Sequence, residues 1–440
     1  MTSGKEIVLT TIGSFGDIHP YMGIAMELQA RGHQPVIATS ALYREKLEGA
    51  GLRFAPVRPD LPPPQVQDQG LVEKIMEPRS GVRFLLEDLL FPSLRDSYED
   101  LLIAARDADL LVTHPITFAG PLVARKLRLP WISTVLAPMS FVSAYDTPVP
   151  PVWPWLVNLR VLGPGLMGML LGFLKKKYSA EPVARLRREL GIADYGSPVF
   201  DGQHSPQLVL ALFSSLFGPP QPDWPPQTHT TGFAFYDGRH ELEMPAELTQ
   251  FLDEGSAPIV FTLGSSAVWV AQNFFHESIE AARRVGRRAV LLIGDGRNLP
   301  RERLPADMCA VNYAPFESLL PRACAMVHHG GVGTTAQGLR TGVPTLIVPF
   351  AFDQPDNAAR AERLGTSRTL YRKHYLASRV AKELDILVSK PQYAQKASAV
   401  GKHIKQENGA ARACDLIEKT LNDNLHSEGV SQELTYASGD

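Results

Sequence analysis

Residues 325–335 read Ala-Met-Val-His-His-Gly-Gly-Val-Gly-Thr-Thr. A short apolar run ends in two histidines, a glycine turn follows, and Thr334 to Arg340 has the pattern of a helix. A strand that turns through glycines into a helix is the unit of parallel sheets covered by helices on both faces. Such a turn exposes N–H groups at the positive end of a helix dipole, where phosphate oxygens bind. Gly331 and Gly333 let the backbone approach a ligand, Thr334 adds a hydroxyl donor, and His329 beside the loop can offset developing charge. The plainer reading is a tight strand–helix turn whose glycines serve packing.

The same alternation extends outward from this stretch. Strands are expected over Pro258–Leu263, Ala289–Ile293 and Thr345–Pro349, and helices over Phe274–Val285, Asn357–Leu364, Ser378–Ser389 and Gln392–Leu421. Upstream, Glu6–Thr11, Pro35–Thr39, Leu52–Val57, Leu110–Thr113 and Trp131–Val135 read as strands, with helices over Ile18–Ala30 and Leu42–Gly49. Pro219, Pro220, Pro222, Pro225 and Pro226 mark a linker. The chain of 440 residues therefore divides into a first α/β domain over 1–217, a linker over 218–237, a second α/β domain with C-terminal helices over 238–424, and a disordered tail over 425–440. Two excursions, Asp60–Arg79 and Ala137–Leu174, break the rhythm where ligand-contacting surface is usually built.

Composition narrows the function. Hydrophobic residues at 44% and charged residues at 20% exclude wholesale disorder. With 44 Lys+Arg against 46 Asp+Glu, the net charge of −2 supplies no field for nucleic acid. Cys309, Cys324 and Cys414 form no C-x-x-C pair, which suits a reducing, cytoplasmic setting and argues against structural zinc. The N-terminus has no signal-peptide pattern. The uncharged run Val161–Leu174 has 14 residues, short of a span, though with Lys175–Lys177 it is suited to weak peripheral contact with a membrane. The oligomeric state is not legible.

Further motifs sit at expected strand ends. Phe350-Ala351-Phe352-Asp353-Gln354-Pro355-Asp356-Asn357 pairs a carboxylate with a carboxamide, which suits bidentate recognition of sugar hydroxyls; Asp353 also reads as a helix cap. Thr11-Ile12-Gly13-Ser14-Phe15-Gly16-Asp17-Ile18-His19-Pro20 is a second glycine turn, in which Asp17 reads as a general base or as a cap. His19 is a rival base, though a solvent-facing residue of a first helical turn accounts for it as well. Gly264-Ser265-Ser266 is a donor-rich turn. Asp107-Ala108-Asp109 has the D-x-D spacing of metal-dependent sugar transferases but reads as an acidic turn before a strand. Neither H-E-x-x-H nor G-x-x-x-x-G-K occurs.

Taken together, over roughly residues 5–420, these motifs resemble the family 1 glycosyltransferases of the GT-B fold, in particular bacterial macrolide and glycopeptide glycosyltransferases, sterol glucosyltransferases and the rhamnosyltransferase of rhamnolipid synthesis. The likeness rests on Gly13-Ser14-Phe15-Gly16-Asp17 with Pro20, on Pro222-Asp223-Trp224-Pro225 followed by Thr231-Gly232-Phe233, and on Gly264-Ser265, Tyr313-Ala314-Pro315, the His329 loop and Asp353-Gln354, in that order. It implies an α/β GT-B architecture, two Rossmann-like α/β/α domains facing each other across a cleft. It also implies an inverting, metal-independent transfer of a hexose or deoxyhexose from a dTDP- or UDP-linked donor, with no other cofactor. Asp17 would take the acceptor proton. Ser265, His329, Gly331, Gly333 and Thr334 would hold the diphosphate, Asp353 and Gln354 the sugar, and Tyr313 with the backbone near Ala314 the base. Phe15, His114, Met139 and Trp153 are assigned to the acceptor.

Two departures bear on this resemblance. Plant relatives carry His where Asp17 stands, whereas glycopeptide enzymes accept Asp. Gln337 replaces a ribose-binding Glu, which tilts the donor toward deoxyribose. Val152, Trp153, Trp155, Leu156 and Leu166–Leu174 supply apolar surface for a lipophilic acceptor, or pack as a flanking helix. The rival readings are a sugar-nucleotide 2-epimerase of the same architecture, a non-catalytic nucleotide-sugar-binding module, and an NAD-dependent oxidoreductase suggested by Gly331-Val332-Gly333-Thr334-Thr335-Ala336.

Overall fold

A computed structural model describes residues 4–60, 69–177, 180–193, 197–238, 243–299 and 303–436. Buried apolar runs make the strands, as a sheet covered on both faces requires. The first sheet contains β1 (Glu6–Thr10), β2 (Gln34–Thr39), β3 (Arg53–Pro56), β4 (Leu110–Thr113), β5 (Trp131–Val135), β6 (Leu208–Ala211) and β7 (Thr228–Thr230), in the spatial order β3-β2-β1-β4-β5-β6-β7. The second contains β8 (Ile259–Thr262), β9 (Ala289–Leu292), β10 (Met308–Val311), β11 (Ala325–His328), β12 (Thr345–Ile347) and β13 (Ser367–Thr369), in the order β10-β9-β8-β11-β12-β13. Every pairing in both sheets is parallel. These are the two Rossmann-like layers the sequence implied.

Five helices bear on the site: α1 (Phe15–Ala30), α2 (Pro164–Lys177), α3 (Val332–Thr341), α4 (Gln354–Arg363) and α5 (Gly409–Tyr436). Several elements depart from the sequence reading. The stretch read as a linker contributes β7, because β-branched Thr228 and Thr230 follow the last proline and pair with β6. The helix expected over Gln392–Leu421 is two, Pro391–Gln406 and α5, since Asn408 turns back to accept the N–H of Ala411 and Gly409 follows it. The disordered tail expected over 425–440 is helical as far as Tyr436, and residues 437–440 lie outside the described part. Of the first excursion, residues 61–68 also lie outside it. The rest forms the Gln69–Ile75 helix, which buries Val72, with Met76 just beyond it, among the core residues of the second sheet.

Other segments also cross between the halves. The helix α5 follows the second sheet in sequence but packs Ala413, Cys414 and Ile417 against Ile24 and Leu28 of α1. Arg31 at the end of α1 pairs with Asp415 and Glu418, each at 2.8 Å. Asp223 of the Pro-Asp-Trp-Pro motif accepts from the Ser143 hydroxyl at 2.6 Å and the Ala144 N–H at 2.7 Å, and Trp224 stacks on Phe141. That fixes the 143–149 loop, whose Val149 N–H reaches Asp356 of α4 at 3.0 Å and whose Asp146 meets Arg360 at 2.5 Å and Arg363 at 2.9 Å. Arg360 is buried and also binds Asp356 at 2.6 Å. Burial by itself raises the Asp146 carboxyl pKa, but Arg360 and Arg363 outweigh it and hold that group below its usual range.

Replacing Arg360 by Met leaves buried Asp356 without its cation and half-buried Asp146 with Arg363 alone, which costs about 3–5 kcal/mol of stability. We expect a lower melting temperature for Arg360→Met near neutral pH. A depressed carboxyl pKa stabilises the fold above its ordinary value of 3.8 and loses that contribution as pH falls. The gap between variant and parent should therefore narrow below about pH 4. Coincident neutral melting curves would show that the cluster does not hold the halves together.

Candidate active site

Strand order reverses between β1 and β4, and again between β8 and β11. Helices then leave to opposite faces, opening a crevice at the carboxyl ends of those strands. The Asp17 turn follows β1, and His114 follows β4 directly. Gly264 to Ser266 follow β8, and His329 follows β11. Each pair of motifs, remote in sequence, therefore meets at a switch point.

Asp17 has two structural partners. Ser14 caps α1, with its hydroxyl accepting the Gly16 N–H at 3.2 Å and its own N–H donating to Asp17 Oδ2 at 2.7 Å. This capping box uses one carboxylate oxygen. The other, Oδ1, lies 3.4 Å from His114 Nε2. The Nδ1 of His114 accepts the Ile116 N–H at 3.3 Å, so in the neutral ring Nε2 carries the proton and points it at Asp17. The cap and base readings of Asp17 are thus compatible, because they use different oxygens. His114, assigned to the acceptor, is buried and abuts the carboxylate.

The glycines of 330–333 do separate jobs. Gly330 has φ +90°, and a Cβ there would meet Ile347 and the Gln354 carbonyl. The His329 ring lies between two turns: a Cβ on Gly331 would stand 2.4 Å from Nε2, and one on Gly264 2.5 Å from Cε1. Gly333, in the first turn of α3, faces the Gly16 backbone across the cleft. Close approach is thus required by the histidine ring as well as by any ligand. Burial pushes His329 down to about 4, and burial with His329 alongside pushes His328 down to about 3. In the protein without a ligand, burial thus disfavours the charged imidazolium of His329. His328 accepts the Gly330 N–H on Nδ1 and holds the turn from beneath.

Asp353 ends the turn before α4. Asn357 donates to its Oδ2 at 2.8 Å and to the Gly330 carbonyl at 2.9 Å, tying the two loops together. Burial pushes the Asp353 carboxyl up to about 7; the Asn357 bond works against this, and the charge of Asp17 across the cleft adds to it. Gln354 is more committed than expected. Its Oε1 accepts the Phe350 and Ala351 N–H groups at 2.8 and 3.0 Å, so only its amide N–H end can meet a sugar. His328 Nε2, His329 Nδ1, Gln337 Oε1 and Asn357 Oδ1 are buried polar atoms with no partner in the protein. Around a glycine loop, such atoms mark a place for a polar ligand.

The remaining assignments scatter. Ser265, next to Gly264, and Thr334, in the first turn of α3, are partly exposed. Tyr313 is exposed after β10, while the Ala314 side chain lies in the core, leaving only its backbone for a ligand. Phe15 is exposed and stacks on His19, with ring centroids 5.2 Å apart. His19 also packs on Tyr236, so it is not the solvent-facing residue expected. Met139 is half-buried, and Trp153 is exposed rather than enclosed in a pocket. Asp109 binds Lys5 and the Glu6 N–H, which settles the D-x-D as a turn. Among the described residues no cluster of three or more His, Cys, Asp or Glu is placed to hold a metal ion. Sequence reasoning missed Asn357, although its place four residues after Asp353 sets both on one helix face. Nothing local could have indicated Asp146 with Arg360.

Comparison with known proteins bears on the family and the fold. Residues 7–90 match the glycosyltransferase family 28 N-terminal domain, and residues 277–415 match the Erythromycin biosynthesis protein CIII-like C-terminal domain. The chain is 31% identical to the O-mycaminosyltylonolide 6-deoxyallosyltransferase of Streptomyces fradiae, covering 94% of this chain and 97% of that one. It is 30% identical to a sterol 3-beta-glucosyltransferase of Arabidopsis thaliana, covering 94% of this chain and 66% of that longer one. The crystal structure of the glycosyltransferase VinC in complex with dTDP superposes with a TM-score of 0.65 at 19% identity, over 95% of this chain and all of that one.

Asp17→Asn keeps an oxygen for the Ser14 N–H, whereas Asp17→Ala removes the Asp17 arm of the capping box and leaves that N–H without its partner, at a cost of about 1 kcal/mol. Thermal melting should leave the Asn variant near the parent and lower the Ala variant. Equal melting of all three would mean that the capping box contributes nothing.

Proposed function

This chain belongs to the family 1 glycosyltransferases of the GT-B fold and is a sugar-transferring enzyme, and on that premise we propose that it inverts the anomeric centre of a nucleoside diphosphate hexose or deoxyhexose on to a hydroxyl of a lipophilic small molecule. The observation that carries this reading is the meeting of Asp17, with one oxygen held and the other beside His114, and the His329 loop across one cleft. Likeness to a deoxyallosyltransferase and a sterol glucosyltransferase supports a natural-product or sterol acceptor. The departure at Gln337 and the likeness to a dTDP-bound enzyme favour a dTDP-linked donor.

In this mechanism the acceptor hydroxyl hydrogen-bonds Asp17 Oδ1. Its proton passes to Asp17 as its oxygen bonds to the anomeric carbon, and the bond from that carbon to the diphosphate breaks on the opposite side. His114 Nε2–H keeps the carboxylate oriented. The leaving diphosphate meets N–H groups at the start of α3, the Thr334 hydroxyl and His329, without a metal ion. Bound phosphate would raise the pKa of His329, strengthening the bond as charge grows. Asp353 would accept from sugar hydroxyls while the Gln354 amide donates. Tyr313 and the Ala314 backbone would border the base, and Phe15, Met139 and Trp153 the acceptor. Three unpaired thiols fit a cytoplasmic setting.

The test is mass spectrometry of products from dTDP-rhamnose, dTDP-glucose or UDP-glucose, with and without phenolic, sterol and hydroxy-fatty acceptors. We expect acceptor plus one sugar and released diphosphate. Asp17→Asn should lower kcat about 10²–10⁴-fold with donor affinity little changed. Turnover like the parent's would remove Asp17 from the base role. A second prediction concerns the sugar end. Because burial pushes the Asp353 carboxyl up to about 7, and the ionised carboxylate accepts from sugar hydroxyls more strongly and through both oxygens, affinity for the nucleotide sugar should rise with pH through 7. Affinity for the free nucleoside diphosphate should not, and Asp353→Asn should flatten the profile. A pH profile unchanged in that variant would place the sugar elsewhere.

A further inference from the structure

The helix α2 is amphipathic in the wrong sense for a core. Met167 is buried and Gly168 packs against Ala144, which fixes the helix to the first domain. Leu166, Met169, Leu170 and Phe173, spaced i, i+3, i+4, i+7, form one stripe, yet their exposures are 39%, 70%, 41% and 70%. The preceding turn-rich segment Pro154–Leu162 extends the same surface with Trp155 at 60% and Val161 at 83%. Single exposed apolar residues are ordinary, but a continuous stripe of them is a contact surface.

Charge indicates what covers it. From 147 to 180 the chain contains no carboxylate and four cations, Arg160 and Lys175, Lys176 and Lys177. Three of these are the last residues of α2, and Lys175 lies 5.8 Å from the centroid of the Phe200 ring. A second copy seated by two-fold symmetry would bring this basic rim against itself. A surface that takes apolar side chains and attracts cations together is the headgroup boundary of an anionic bilayer, where Trp and Phe settle and each lysine adds about 1 kcal/mol. No described helix is long and apolar enough to cross a membrane, and α2 with 14 residues is about 21 Å long, so it would lie along the interface. We propose that α2 and the 154–162 segment dock the enzyme on an anionic lipid surface. This rests on the exposed stripe and its basic rim, not on the sugar-transfer reading, although a lipophilic acceptor could then be collected from the bilayer.

The experiment is co-sedimentation of the full chain with phosphatidylcholine vesicles, with or without about a third of phosphatidylserine. Binding is expected only with phosphatidylserine, and should weaken with added salt. Lys175, Lys176 and Lys177 changed together to Gln should weaken it about a hundredfold, from roughly fivefold per lysine. Met169→Glu with Phe173→Glu should abolish it. The lysine variant changes only the end of a helix, so it carries the test even if the glutamate variant is unstable. Three results would each overturn the proposal: no binding to the anionic vesicles, equal binding to both vesicle types, or binding that the lysine variant leaves intact. A parent dimer that Met169→Glu with Phe173→Glu converts to monomer would instead assign the stripe to a second copy.

Discussion

A parallel sheet whose crossovers are all right-handed can cover both its faces only if the direction of winding reverses once. The rest of this structure follows from that constraint. Reversal separates two neighbouring strands' outgoing loops and leaves a crevice at their carboxyl ends. In the first sheet these loops carry Asp17 and His114; in the second they carry Gly264 and His329. Because both crevices open at the same kind of edge, two such sheets placed with those edges together form a cleft with a carboxylate on one wall and a glycine loop on the other. A Cβ at Gly333, in the first turn of α3, would stand 3.5 Å from the Gly16 Cα, so the two walls lie close together there.

What holds the walls is a set of crossings rather than the linker alone. The helix α5 returns to α1, the 69–76 segment enters the second core, and Arg360 bridges Asp146 and Asp356 out of water. Buried ion clusters are seldom strong net stabilisers, but they tolerate little misplacement. Arg360 lies on α4, whose start carries Asp353 and Gln354, and Asp146 lies on the loop fixed by Asp223. The position of the sugar-side residues is therefore tied mechanically to the acceptor-side loop. This gives the Pro-Asp-Trp-Pro motif a physical role although it is remote from the chemistry.

Local chemistry at the cleft rests on division of labour within single residues. One oxygen of Asp17 caps a helix while the other faces His114. Gln354 gives its oxygen to a turn and keeps its N–H end. Asn357 holds a carbonyl of one loop and a carboxylate of the other. Each side chain is thus oriented by its structural bond before a ligand arrives, which lowers the cost of binding one. The low pKa values of both histidines and the high one of Asp353 share a cause, exclusion of water from the seam between the loops.

The sequence by itself determined the alternation of strand and helix, the glycine turns, and the residue types at each turn, because these depend on periodicity and local conformational preference. The resemblance added which turns belong to one site. Local pattern could not distinguish a linker from the edge strand β7, since three residues of Thr-His-Thr carry too little periodicity. It could not break the long C-terminal pattern at Glu407 and Asn408, where a cap interrupts a helix whose apolar spacing continues. It could not show that burial lowers the pKa of His329 or that Gln354 gives its oxygen to two backbone N–H groups, because burial and backbone partners are properties of assembled elements. The pairing of Asp17 with His114, of His329 with Gly264, and of Asp146 with Arg360 was decided only by the tertiary structure. Residues this far apart in the sequence meet because strand order, which no local interaction encodes, sets which loops become neighbours.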